Sequence, residues 1–286
     1  MNPNKKYAVF ILTHGRPDNV KTYKTLRNNG YTGDIYLICD DEDKTLDQYK
    51  KKYSEEVIVF SKSNYEGKFD KMDNFGGNKV IVYARNACYD IARSLGLDYF
   101  FEYEDDYTGF YFRKFDGPML RAIKINQLDK ILDSMIECLD KTGSGTIAFS
   151  QAGDHIGGAS TFHTIHLKRK AMNSFVFRVN KDPKDDPIFI GRMNDDVNLY
   201  LSKGKIGKLF FQTGDVSLVQ LATQSNSGGN TEAYKDFGTY VKSFYSVMIA
   251  PDCCKVALMG TSNRRMHHKI KWVNAVPKII SQQYKK

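Results

Sequence analysis

Unbroken apolar runs of strand length alternate with helical periodicity in the first half of the chain. Tyr7 to Leu12 is apolar at every position, which predicts a strand buried on both faces. Thr13-His14-Gly15-Arg16-Pro17 then turns into a helix, with helical spacing from Asn19 to Asn28 and a stop at Gly30. A second run, Asp34 to Cys39, ends in Asp40-Asp41-Glu42-Asp43. Thr45 to Tyr53 reads as a second helix and Glu56 to Phe60 as a third strand. A helix opening at Val82-Tyr83-Ala84-Arg85-Asn86-Ala87 leads to Gly96 and then to the aromatic run Leu97 to Tyr103. Ile125 to Lys141 places Leu128, Ile131, Leu132, Met135, Ile136 and Leu139 on one helical face, and a further strand is expected over Ser144 to Phe149. Strand and helix in alternation with short turns imply βαβ units, a mostly parallel central sheet flanked by helices, and an α/β fold.

Charge falls at the ends of these strands. The aromatic run closes abruptly in Glu104-Asp105-Asp106. Three adjacent carboxylates repel one another, a cost that a divalent cation among them offsets, and hard oxygen ligands suit Mg²⁺ or Mn²⁺. The alternative is a polar turn that happens to be acidic. Ligands of such sheets bind beyond the carboxyl ends of strands, and Thr13, Asp41 and the 104–106 triplet stand at three such ends. Together they outline a crevice for a nucleoside diphosphate. The polar, glycine-containing stretch 61–78 is expected to be a loop facing that crevice. A second acidic group, Asn194-Asp195-Asp196, opens another helical stretch, where Asn194 and Asp195 are also good capping residues.

Composition narrows the class. With 286 residues, 41% hydrophobic and 13% aromatic, the chain can bury a large core. Neither an 18-residue apolar run nor an apolar leader is present, so a cytoplasmic protein with no membrane span is expected. Five cysteines, with Cys39, Cys88 and Cys138 in apolar runs, read as reduced. Net charge is +9, and the segment from Lys255 to Lys286 holds eight Lys and Arg and no acid. Such a strip, with Arg264, Arg265, Lys269 and Lys271 at its centre, suits a polyanion or is simply solvated surface. His14, His155, His163 and His166 show no spacing that points to chemistry.

Four motifs in order (Ile11-Leu-Thr-His-Gly-Arg-Pro17, Tyr36-Leu-Ile-Cys-Asp-Asp-Glu-Asp43, Val82-Tyr-Ala-Arg-Asn-Ala87 and Glu102-Tyr-Glu-Asp-Asp-Tyr-Thr-Gly109) resemble those of GT-A glycosyltransferases. Within that fold they look like the phage TET-associated glycosyltransferases, expected to modify hydroxymethylated pyrimidines in DNA. The resemblance implies one GT-A-like domain over 1–286, with a nucleotide-sugar and metal half at 1–115, an acceptor half at 116–254 and a basic segment at 255–286. It implies a UDP-sugar donor contacted by Thr13, Arg16, Asp41, Arg85, Glu104 and Asp105, with Glu104 favouring the ribose. It also implies Mn²⁺ or Mg²⁺ on Asp106, with His267 or His268 returning to the metal. Asp196, with Asp195 as alternate, would take the proton of the acceptor hydroxyl. Tyr107 or Tyr111 could stack on an extruded base. Two other acceptors or roles stay open at this point: a polysaccharide or protein acceptor, and a non-catalytic nucleic-acid-binding protein.

Overall fold

The computed structural model describes residues 5–76, 80–117, 119–155, 170–221, 238, 240–259 and 264–276. His163, His166, Lys278, Lys285 and Lys286 lie outside the described residues, as does the side chain of Arg265. The strands are β1 (Tyr7–Leu12), β2 (Asp34–Asp40), β3 (Val57–Phe60), β4 (Tyr99–Glu104), β5 (Tyr107–Asp116), β6 (Met119–Lys124), β7 (Thr146–Gln151), β8 (Phe175–Arg178), β9 (Phe210–Gln220), β10 (Cys254–Met259) and β11 (Arg265–Ile270). The helices are α1 (Lys21–Asn28), α2 (Leu46–Tyr53), α3 (Val82–Ser94), α4 (Leu128–Thr142), α5 (Asp195–Gly204) and α6 (Lys242–Ile249).

Nine strands form one sheet in the order β3-β2-β1-β4-β8-β7-β9-β5-β6, while β10 and β11 form a separate antiparallel pair. The block β3-β2-β1-β4 is parallel throughout. Following the pairings across the sheet, seven strands run one way and only β8 and β5 oppose them. This is the α/β, mostly parallel architecture that the strand–helix alternation implies.

Strand alternation sorts the core onto two faces. Ala8, Phe10 and Leu12 of β1 point to a cluster shared with Val82, Ala87, Cys88 and Ile91 of α3 and Val197, Leu199 and Leu201 of α5. Tyr7, Val9 and Ile11 point the other way, to Leu26 of α1, Tyr49 of α2 and Leu128, Leu132 and Ile136 of α4. All six residues of β1 are buried because helices cover both sides. Stacking of Phe10 on Phe100, with ring centroids 5.4 Å apart, adds about 0.5–1.5 kcal/mol beyond the area it buries. Gly30 ends α1 at φ +83°, and a Cβ there would run into the Asn126 carbonyl, so only glycine fits.

Candidate active site

At the carboxyl end of β4, Glu104 is the last strand residue and Asp105-Asp106 make the turn into β5. Helix α1 fastens this turn from the side. Thr22 Oγ1 donates to the Glu104 carbonyl (2.5 Å) and accepts from the Tyr107 N–H (2.9 Å), and Thr25 Oγ1 donates to the Tyr107 carbonyl (2.9 Å). The acidic turn is therefore held by neutral hydroxyls on backbone, which leaves its carboxylates for other partners.

Asp105 faces β1. Thr13 Oγ1 donates to it at 2.7 Å, and Arg16 Nε lies 3.2 Å away. An ionised carboxylate can only accept, so the Thr13 hydroxyl must receive its own bond from Tyr49 OH, 2.7 Å away, which in turn accepts from the Arg16 N–H (2.9 Å). Burial still raises the Asp105 pKa, against the pull of Arg16 and Thr13. Thr13, Arg16 and Asp105 thus stand together, as their positions at neighbouring strand ends imply. Asp41 is exposed at the end of β2, one strand further out, and accepts from Ser61 Oγ and the Lys62 N–H.

The adjacency of β1 and β2 also gathers His14, Asp40, Asp43 and Lys62, none of them an expected site residue. His14 Nδ1 is 2.6 Å from Asp40 Oδ2, and buried Lys62 Nζ is 2.8 Å from Asp40 Oδ1. Asp43 accepts from the Gly15 N–H at 2.7 Å. The hydrogen bond to Asp40 raises the His14 pKa, although burial opposes it. The acidic run after β2 is the one signal in the chain, but which histidine it meets depends on the strand order.

Arg85 holds the centre of the site. Fully buried on α3, it reaches Glu102 Oε1 with Nη1 (2.6 Å), Glu104 Oε1 with Nη2 (2.8 Å) and Asp195 Oδ2 with Nε (2.5 Å). Its guanidinium carbon lies 5.1 Å from the Phe175 ring centre and 5.4 Å from that of Phe189. Glu102 and Glu104 are two apart on β4 and so share the face turned to α3. Burial disfavours the Arg85 charge, but Asp195, Glu102 and Glu104 hold it, raising the pKa further above its ordinary value. One cation does not neutralise three acids, of which Glu102 and Asp195 are buried and Glu104 half-buried. Burial pushes Glu102 up to about 7 and Glu104 to about 8, the latter also under the charges of Asp106, Asp195 and Asp196. Arg85, which the resemblance places against the phosphate or sugar of a donor, is engaged here by carboxylates and organises them.

The neighbouring Asn86 pins the chain that enters α5. Its Nδ2 donates to the Phe189 carbonyl (3.0 Å) and its Oδ1 accepts from the Phe189 N–H (2.9 Å). Adjacent side chains of one helix therefore join β4 to the Asn194-Asp195-Asp196 turn about ninety residues later in the sequence. Asp196 is half-buried and pushed up to about 6, by burial first and then by the charge of Asp195. Asn194 sits at the N-cap with φ +55° but does not cap with its side chain. Its Nδ2 instead lies within hydrogen-bonding distance of the Lys242 carbonyl (2.8 Å), Ser246 Oγ (3.2 Å) and His268 Nδ1 (3.2 Å).

The loop before α3 is fastened to the same turn. Buried Arg192 donates through Nε to both Asp73 oxygens (2.9 and 3.1 Å) and through Nη2 to the Phe75 carbonyl (2.7 Å), while Tyr245 OH donates to Asp73. Backbone bonds from Gly191 to Asp70 and from Arg192 to Lys71 continue the seam. The polarity of this loop is thus spent on the entry to α5.

One residue departs from its expected surroundings. Tyr107, expected beside the crevice as a stacking surface, is fully buried against Tyr103 and Phe110, with its hydroxyl on the Asn173 carbonyl. Tyr111 is half-buried over Gly109, where a Cβ would collide with its ring.

A divalent cation can be tested against these residues. Among the described residues no group of three or more His, Cys, Asp and Glu is gathered to hold a metal. Mg²⁺ delivered with a diphosphate needs only one or two carboxylates, phosphate and water supplying the rest. Asp106 fits that role. Its Oδ1 is buried with no hydrogen-bond partner, and burial plus the charge of Asp105 push its pKa up to about 6. Burial lowers the His268 pKa to about 4, so its ring is neutral, the form in which an imidazole ligates a metal, and its Nδ1 lies 3.2 Å from Asn194 Nδ2. His267 is its neighbour, with ring centres 4.2 Å apart. Replacing Asp106 by Ala should leave the fold intact and abolish metal-dependent binding of a nucleoside diphosphate, read by calorimetry with and without EDTA. A variant that still binds the diphosphate more tightly with the metal than with EDTA would exclude Asp106 as the ligand.

Arg264, Lys269 and Lys271 are exposed on or beside β11, away from the Arg85 cluster in sequence but joined to the entry of α5 through His268 and Asn194. Among the described residues no helix is long and apolar enough to cross a membrane.

The fold and this crevice define an α/β protein with buried acids massed beyond the carboxyl ends of parallel strands. A family model described as TET-associated glycosyltransferase matches residues 7–229, and the chain belongs to that family. No curated protein matches the chain. Among solved structures, Staphylococcus aureus TarS 1–349 is 10% identical, with 86% of this chain and 66% of that one covered at a TM-score of 0.47. Its UDP-GlcNAc complex gives 12%, 86%, 67% and 0.49. Glucosyl-3-phosphoglycerate synthase from Mycobacterium tuberculosis, with Mn²⁺ and UDP-glucose, is 7% identical, with 92% and 86% covered at 0.48. The chain thus spans 66% of the length of TarS 1–349.

Proposed function

We propose that the protein is a GT-A-type glycosyltransferase that moves a sugar from a UDP-sugar to the hydroxymethyl group of a modified pyrimidine in DNA, in the cytoplasm of a phage-infected cell. The observation that carries this reading is the meeting, around Arg85, of two acidic groups about ninety residues apart: Glu102 and Glu104 on β4, and Asp195 with Asp196 at the start of α5. Family membership supplies the reaction class. The donor would lie across the ends of β1, β2 and β4, where Thr13, Arg16, Asp41 and Asp105 stand. Asp106 would hold Mn²⁺ or Mg²⁺. Bound there, the cation stabilises the charge that grows on the departing diphosphate.

Of the two acids opening α5, Asp195 is spent on Arg85, whereas Asp196 is half-exposed and, at about 6, ionised at neutral pH yet basic enough to accept a proton. Asp196 would therefore take the proton from the attacking hydroxyl, while Arg85 keeps its neighbour in place. The basic strip from Lys255 onward would hold the acceptor by its phosphates.

The direct test incubates the protein with hydroxymethylated DNA, Mn²⁺ and a panel of nucleotide sugars, then digests the DNA to nucleosides for mass spectrometry. A hydroxymethylpyrimidine heavier by one sugar is expected. Transfer to a polysaccharide or protein and none to DNA would overturn the acceptor. Charge reversal at Arg264 and Lys269 should weaken duplex binding and make its salt dependence shallower by about one for each phosphate no longer engaged, with UDP-sugar affinity unchanged. A duplex affinity indifferent to salt and to both changes would make the strip ordinary surface.

A further inference from the structure

We propose that the hairpin of β5 and β6 is a docking ribbon for duplex DNA, gripping the acceptor at a second place. The inference rests on the DNA reading above. Strand β6 is the free edge of the nine-stranded sheet, and β9 pairs with β5 only as far as Phe112 opposite Val216. Beyond that point β5 and β6 pair with each other alone, from Phe112 opposite Ile123 to Asp116 opposite Met119. Edge hairpins are normally short or covered, since their open backbone and apolar side chains invite association. This one is long, and one face is exposed at all six positions: Phe112, Lys114 and Asp116 on β5, and Met119, Arg121 and Ile123 on β6.

The chemistry of that face selects the occupant. Lys114 stands directly opposite Arg121, a like-charge pair that destabilises a bare two-stranded ribbon. Asp116 pairs with Arg121 at 2.5 Å, so one acid faces two cations. Arg113 and Lys124 lie on the reverse face, giving four cations and one acid over residues 107–124. The same arrangement recurs in the other two-stranded unit, where exposed Lys255 is directly opposite exposed Lys269. Opposed cations on two separate ribbons are a cost that a polyanion removes. A protein partner would instead favour a face with few charges at its centre.

Geometry agrees with a duplex. The major groove admits a two-stranded ribbon, with side chains of one face toward the bases and flanking cations on phosphates. The apolar pair Phe112 and Ile123 would then meet base edges, and Lys114 and Arg121 the backbone. Lys114 is eight residues beyond Asp106 along extended chain, roughly 26 Å. That is about the length of eight base pairs at 3.4 Å each. A single duplex can thus present a base to the crevice while the ribbon holds it further along.

The test is Lys114→Gln with Arg121→Gln in the full chain, with duplex affinity measured over a salt series. Weaker binding and a salt slope shallower by about one to two are expected, with circular dichroism and UDP affinity unchanged. Phe112→Ala should weaken binding without altering the slope. If the native protein glycosylates duplex DNA and the double variant binds it with native affinity and slope, the ribbon does not touch DNA while the functional reading stands. If the native protein neither binds nor modifies DNA, that reading falls and the ribbon falls with it. Loss of binding to anionic vesicles, with DNA binding intact, would assign the face to a lipid surface and overturn the proposal.

Discussion

Replacing Asp196 by Asn should lower sugar transfer by roughly 10²–10⁴-fold, the usual contribution of a positioned general base. Donor affinity should stay near native, because the residue sits at the entry to α5 and not at the ends of β1 and β2. The pH profile gives an independent readout. Burial, then the charge of Asp195, raises the Asp196 pKa to about 6, and a base works when deprotonated. Transfer should therefore rise as pH increases through about 6 and level off above it. That limb should vanish from the residual activity of the Asn variant. A native rate that is flat through this range would exclude Asp196 as the base, as would Asp195→Asn causing the loss while Asp196→Asn does not.

Arg85→Met should be the most damaging change to the fold. Removing one partner from a buried ionic group leaves charge uncompensated and typically costs about 3–5 kcal/mol. Here Glu102, Glu104 and Asp195 would all lose their cation. The pH dependence has a definite sign. Glu102 and Glu104 titrate at about 7 and about 8 in the folded chain, above the ordinary 4.5. Groups raised in this way favour folding below the unfolded value, and that contribution is lost as pH rises through the folded values. The variant loses the pull of Arg85 that lowers both groups, so Glu102 and Glu104 titrate higher still, and it should be weakest at alkaline pH and recover as pH falls and protons neutralise them. Denaturant midpoints across this range would show it. A midpoint equal to the native one at high pH would mean that Arg85 is not what holds these acids.

Several parts of this site are legible in the order of residues along the chain. Strands β1, β2 and β4 announce themselves as apolar runs because helices cover both faces of a parallel block, so every residue must tolerate burial. The acidic triplet and Asp195-Asp196 stand out because charge at the edge of apolar chain is costly without a purpose. Other features leave no such trace. Strand β8 is four residues long and enters antiparallel between β4 and β7. Its signal is too short for periodicity to separate from loop. Tyr107 looks like a crevice aromatic from its place after the triplet, yet the turn at Asp105-Asp106 carries it into the core. Strand β10 is an apolar run broken by Lys255, and β11 holds Arg265, two adjacent His and Lys269 without alternation, a composition that also reads as a solvated basic tail.

Chain order alone accounts for the fold class, for the burial of each early strand and helix, and for which acids are candidates. Each of these depends on a segment's own periodicity and on the charge at its ends. The pairing of those acids required the folded chain. Arg85 is 17 residues from Glu102 and 19 from Glu104 but 110 from Asp195. No local pattern links such positions; the sheet order and the Asn86–Phe189 bonds bring them within reach. Once there, burial strengthens every interaction between charges in the cluster, so a salt bridge that sequence would place on any nearby carboxylate becomes one guanidinium shared by three acids.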